Sequence, residues 1–234
     1  MKAGCCQLQS MQESPAFISF CSLVYHFTFK RDCEELFQTG HTKNGLYIIQ
    51  PEGSRKLVVQ CYMDGCNGWT MIQTNSHNTE ITWTEAWTTY KYGFGNLEKD
   101  HWLGNEYIHL ITKQKLYKVR IDLTNANGVP RYAEYDSFFL ADEGDFYKLK
   151  LGMYEGNAGD SLSSPMTKNM HDNMRFSAKD RDNDRSSHTN CADVHGGGWW
   201  FDSCGLWLLE GVRGSWLVNA AELSGLPTQI TARL

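Results

Sequence analysis

Residues 174–205 constrain the fold of this chain more than any other stretch. One run holds an acidic loop, "DRDND", with Asp180, Asp182 and Asp184, then Cys191, then "HGGGWWFDSCG" from His195 to Gly205. The three carboxylates alternate along a segment with no apolar period, which leaves their oxygens free to converge on a hard cation. Calcium takes about six to eight oxygen ligands in irregular geometry, so short Asp-rich loops suit it. Cys191 and Cys204 bracket a triple-glycine turn and an aromatic cluster, at a spacing that a disulfide could close. A solvated charged loop beside an aromatic core fits the same spacing equally well.

The chain has 234 residues, enough for one large domain with a core that needs no staples. Its formal net charge of -5 carries no basic cluster, which argues against a nucleic-acid partner. Eight cysteines point toward an oxidising compartment. Residues 1–30 read as a signal-like or disordered leader. The apolar run 17–29 has the length of a signal-peptide core and is too short to cross a bilayer, so no transmembrane segment is expected. Cys5, Cys6 and Cys21 lie within that leader.

From Arg31 the pattern becomes regular. A short helix around residues 34–37 precedes strands near 46–50, 57–62 and 69–73. Trp83, Trp87, Tyr90 and Phe94 recur at helical spacing, with Thr82 and Glu85 forming a capping box. That aromatic stripe reads as core. A second helix starts near Asn105. Residues 115–123 alternate cleanly, Tyr117, Val119, Ile121 and Leu123 to one side, as a half-buried antiparallel strand does. A turn is expected at 125–128, followed by strands at 132–140 and 146–153. The expected fold class is α+β.

The run "MRFSAKDRDNDRSSHTNCADVHGGGWWFDSCG" resembles the calcium-loop and second-disulfide segment of the fibrinogen C-terminal domain family. "YKYGFGNLEKDHWLGNEYIHLIT" and "RYAEYDSFFLADEGDFYKLKLGMYEGNAGDSLS" match the same family. The resemblance covers roughly residues 31–211, within a domain spanning 31–234. It implies a small N-terminal subdomain closed by a Cys33–Cys61 disulfide, a central mainly antiparallel sheet flanked by helices, and a loop-rich calcium and ligand subdomain that looks truncated. It places calcium on the Asp182 and Asp184 side chains plus two backbone carbonyls further along, those of Ser186 and His188 counting forward from Asp184, or of Ser187 and Thr189 counting back from Cys191. It also implies a ligand pocket at Ser203, Cys204 and Gly205, where several ficolin-like members have a cis peptide bond, here Ser203–Cys204. Cys66 falls where the family has glycine or an acidic residue; a free thiol, an intermolecular bridge and a buried inert cysteine all fit there, and with the leader cysteines it offers a route to oligomers.

The function this resemblance implies is a secreted, extracellular, non-catalytic binding module for a protein receptor or an extracellular-matrix ligand. The alternative is a ficolin-like lectin for acetyl groups or glycans. After Gly211 the family pattern fades, and "TQITARL" lacks the alternating basic and apolar residues of the family's closing strand. The expectation is therefore a poorly packed tail and an open sheet edge. Two other chemistries have weaker footing. "GDSL" at 159–162 copies a hydrolase nucleophile motif, but no histidine follows His195 to serve as its base. Cys191, His195, Cys204 and His188 supply zinc donors at spacings unlike those of zinc clusters.

Overall fold

The computed structural model describes residues 29–76, 81–124, 129–163, 170–204 and 230–234. The leader, the 125–128 turn, Gly205 and the tail to residue 229 lie outside these residues. The described chain opens with helix α1 (Cys33–Gln38), whose N-terminus is capped by Asp32 through the Glu35 N–H. An antiparallel meander follows, β1 (Gly45–Ile49), β2 (Leu57–Met63) and β3 (Gly68–Asn75). Cys33 and Cys61 are joined, tying α1 to β2. Closing a loop of this size stabilises by roughly 3–4 kcal/mol in the chain-entropy model.

Helix α2 (Trp87–Tyr92), the short strands β4 (Phe94–Gly95) and β5 (His101–Trp102), and helix α3 (Asn105–Thr112) come next. The stripe Trp83, Trp87, Tyr90 and Phe94 packs into the core as expected. The capping box does not form. Trp83 precedes the helix, Ala86 is its N-cap, and the Thr82 hydroxyl takes the Thr84 N–H instead. The physical reason lies 93 residues away, where the Asp180 carboxylate accepts the Trp87 N–H at 2.7 Å and fixes the first turn.

The remaining strands are β6 (Tyr117–Thr124), β7 (Pro130–Leu140), β8 (Leu149–Leu151), β9 (Tyr154–Gly156) and β10 (Ile230–Arg233). Between β7 and β8 the chain makes a 3-10 turn at Glu143–Asp145, and Phe146 and Tyr147 take the left-handed conformation. That kink delays the strand expected from residue 146. On β6 the residues Tyr117, Val119, Ile121 and Leu123 are all buried, as the alternation requires. The sheet order is β1-β2-β3-β10-β6-β7-β8, with antiparallel pairing along that path.

The expected open edge is therefore corrected. β10 lies between β3 and β6, pairing Ile230 with Asn75 on one side and Leu123 on the other. The ladder continues past it through reciprocal Thr70–Leu234 backbone hydrogen bonds of 2.8 and 2.9 Å. A slot flanked by two strands satisfies an inserted backbone on both sides. Strand formation there depends on main-chain bonding more than on the side-chain pattern that the sequence lacks.

Candidate functional site

The site is built on the segment 176–204, anchored to the core at both ends. Ser177 and Trp199 exchange backbone hydrogen bonds of 2.8 and 3.0 Å. Asn183 donates its side-chain amide to the Phe176 carbonyl and its backbone N–H to the Ser177 hydroxyl oxygen. Trp199, Trp200 and Phe201 are buried, and the Trp200 indole N–H donates to the Tyr147 carbonyl at 2.7 Å. Gly198 is required by this packing. A Cβ there would meet the Tyr90 ring at 2.7 Å and the Phe176 ring at 2.8 Å.

Helix α4 (Cys191–Val194) begins under an Asn190 cap and carries the second disulfide, Cys191–Cys204. The zinc reading fails on this bond. Asp184, Cys191 and Cys204 offer donor atoms within 4.8 Å of one another, but disulfide sulfurs are not thiolates. His195 is also occupied, stacked on Phe201 and within 3.2 Å of the Cys204 carbonyl.

The three loop aspartates separate into two roles. Asp180 caps α2, so it does not join the converging set that the alternation suggested. Asp184 is half-buried and accepts the Ser186 N–H at 2.7 Å and the Cys191 N–H at 2.8 Å through its two oxygens. Asp182 accepts the Asp184 N–H at 3.1 Å. Burial, with the adjacent Asp182 carboxylate adding to it, pushes the Asp184 carboxyl above the ordinary aspartate value despite the backbone bonds it accepts.

The neighbouring cations all point elsewhere. Lys179 donates to the Thr84 carbonyl, and Arg181 lies over the Trp87 ring with Glu143 at 3.9 Å. Arg185 pairs with Asp202 at 2.5 Å. Among the described residues no cation is set against Asp182 or Asp184. Asp182 and Asp184 are thus two adjacent carboxylates without a described counter-charge.

At the implied ligand pocket, Ser203 is exposed and Cys204 half-buried, while Gly205 lies outside the described residues. The cis bond is absent: no described peptide bond is cis, and Cys204 instead adopts a left-handed φ of 50°. Sequence reasoning missed the Arg185–Asp202 pair, which closes the loop across the disulfide, and the role of Asp180. Nothing local signals either one. The hydrolase motif is structural, since Ser161 is only 3% exposed and Asp160 is used by Tyr135 and Ser163.

A mainly antiparallel sheet, two disulfides and an aspartate loop packed on a tryptophan cluster define a globe of the fibrinogen C-terminal type. The chain belongs to that family: residues 29–220 match the model for the fibrinogen beta and gamma chains, C-terminal globular domain. A fibrinogen-like protein 1-like protein of Gallus gallus is 48% identical over 185 residues, 78% of this chain and 64% of that protein. Human fibrinogen-like protein 1 is 39% identical over 190 residues, 77% of this chain and 60% of that protein. The chain thus spans under two thirds of the length of these relatives. The fibrinogen-like globe domain of human ANGPTL2 superposes with a TM-score of 0.72 at 32% identity, over 87% of this chain and 98% of that one. Lamprey fibrin D-dimer, complexed with a Gly-His-Arg-Pro-amide peptide, gives 0.73 at 29% identity over 94% and 78%. No helix among the described residues is long and apolar enough to cross a membrane.

Proposed function

We propose that this chain is a secreted, non-catalytic binding module that recognises a protein receptor or matrix ligand, with its recognition loop stabilised by calcium. The observation that carries the reading is the orientation of Lys179, Arg181 and Arg185 away from Asp182 and Asp184. A loop that excludes its own cations while burying part of a carboxylate is suited to an external one. Asp182 and Asp184 would hold the ion by their side chains, with Ser186 and His188 contributing carbonyls. The ion would supply the positive charge that offsets their repulsion. Two formed disulfides support an oxidising destination. A related fibrin structure holding a peptide supports recognition of protein ligands.

Calorimetric titration of the full chain with calcium tests the reading. The expected result is one ion per chain, with a dissociation constant of about 10⁻⁴–10⁻³ M, the range of extracellular modules. Secreted protein should then bind a receptor ectodomain saturably in calcium and less tightly in chelator. Retention on acetylated resin, eluted by free acetate, would favour the lectin alternative. Absence of any calcium heat from a folded chain would refute the metal assignment.

A further inference from the structure

An open cleft of about 630 Å³ lies where the loop between β1 and β2 meets helices α2 and α3. Its volume is that of a small-ligand site, and it shares no lining residue with the segment 176–204. Two of the lining side chains are charged, one of each sign. Glu106, in the first turn of α3, accepts the Tyr147 hydroxyl at 2.7 Å through one carboxylate oxygen. Tyr147 is fully buried and stacked on Trp87, so the carboxylate is held by the core. Its second oxygen takes no donor among the described residues.

From the loop, the Arg55 guanidinium bonds the Tyr107 hydroxyl and lies over that ring, 5.4 Å from its centre. The loop is itself pinned. The Ser54 N–H donates to the Pro51 carbonyl at 3.0 Å and the Gln50 amide to the Ser54 carbonyl at 3.1 Å. The Glu52 N–H donates to the Gln114 side chain, just past α3, at 2.8 Å. Both charged groups are therefore positioned before anything binds, which lowers the ordering cost of a ligand.

Neither charge is neutralised. Among the described residues, Arg55 and Glu106 form no ion pair with each other or with any other group. Lys91, which lies over the Tyr92 ring, is already bound to Glu143 at 2.5 Å. The other side chains that line the cleft are uncharged. Tyr92 is 52% exposed at the end of α2, and Leu110 stands one turn beyond Glu106 on the same face of α3.

We infer that this cleft binds a zwitterion, an ammonium and a carboxylate joined by a flexible carbon chain, as a free ω-amino acid or a polypeptide's terminal lysine presents them. The open oxygen of Glu106 is an acceptor, which selects an ammonium that still carries N–H. Arg55 keeps guanidinium donors beyond the one given to Tyr107, and its planar fork matches a carboxylate. Because the two protein charges do not reach each other, one ligand has to span them, and its methylenes meet Tyr92 and Leu110. A ligand with a single charge leaves the opposite group unmatched, which makes the pair selective. The inference does not depend on the calcium assignment.

The test titrates the full chain with 6-aminohexanoate, followed by saturation-transfer NMR. Saturable binding is expected, with hexylamine and hexanoate each at least about tenfold weaker. Arg55→Gln and Glu106→Gln should each weaken the probe by about tenfold or more. Arg55 is exposed, and a glutamine at 106 still offers an acceptor to Tyr147, so unchanged urea midpoints are expected. Should Glu106→Gln fail to fold, Arg55→Gln carries the test alone. A peptide ending in lysine, compared with its C-terminal amide, separates the two sources. Tighter binding of the free-acid peptide than of the probe identifies a polypeptide end, and binding of the probe alone identifies a small molecule. No saturable binding, equal binding of either single-charge analogue, or full affinity in a folded variant would overturn the inference. So would loss of binding in chelator, which would move the probe to the aspartate loop.

Discussion

His171 should make this fold acid-sensitive in a range where carboxylates are still ionised. The ring is fully buried, and its Nδ1 lies 2.7 Å from the Trp200 carbonyl, beneath the tryptophans that support the loop. Burial pushes its pKa down to about 3 from the ordinary 6.5, while the Trp200 contact opposes the shift only in part. The sign follows from linkage. The folded state holds the ring neutral and the unfolded state protonates it, so its stabilisation is present above about pH 6.5 and is lost progressively as pH falls toward 3. Between about pH 7 and pH 5 the loss is close to RT ln(1 + 10^1.5), about 2 kcal/mol. Because pH 5 lies well above the folded value, the native ring contributes almost nothing to that difference. Urea unfolding of wild type and His171→Gln at the two pH values reads it directly. The variant should be less stable near neutrality and should lose about 2 kcal/mol less on acidification, equivalent to roughly 4–8 °C in Tm for a domain of this size. His101, also lowered by burial, acts in both proteins and cancels. Equal losses in the two proteins would refute the assignment.

Replacing Asp180 by Ala removes the acceptor at the Trp87 N–H and should cost about 1 kcal/mol in thermal unfolding, with Asp180→Asn largely restoring it. Gly198→Ala drives a methyl into the Tyr90 and Phe176 rings and should cost about 1–3 kcal/mol, read as a lowered urea midpoint at unchanged slope. Calcium at about ten times its dissociation constant should add roughly 1.4 kcal/mol. The double change Asp182→Asn, Asp184→Asn should abolish that increment, and an undiminished response would place the site elsewhere. Amide exchange across 230–233 should be as slow as across 119–123, since β10 is bonded on both sides; fast exchange there would show the slot unfilled.

What was legible in the sequence was local or periodic. The β6 alternation, the aromatic stripe and the cysteines bracketing compact units each depend on neighbours within a few turns of chain. The family motifs carried the rest of the fold. Three features were not legible, and each depends on a distant partner. Thr82 and Glu85 satisfy the capping pattern, yet the helix start belongs to Asp180, which a tertiary contact brings to Trp87. The 230–233 segment has a weak strand pattern and becomes central because β3 and β6 leave a gap between them. At the site, Asp180, Asp182 and Asp184 look equivalent as a sequence; packing separates a cap from two carboxylates that face no described cation.

That separation explains how a polar loop can be both exposed and precisely held. Trp87 is fixed at three points by residues outside its own helix. Asp180 takes its backbone N–H, Glu143 takes its indole N–H at 2.8 Å, and Arg181 covers its ring. Glu143 in turn binds Lys91 at 2.5 Å, and that bond, followed by the indole bond, holds its carboxyl below the usual glutamate value. Asp180 and Arg181 are therefore spent on the core, immediately before the first proposed ion ligand. The consequence is a division of labour along five residues: 180 and 181 set the position of the loop, while 182 and 184 face no described cation and are the proposed ion ligands. Under the proposed assignment, calcium should change the stability of the outer loop without moving α2. Weakening the joint at Asp180 should, conversely, loosen the loop even when its carboxylate pair is intact.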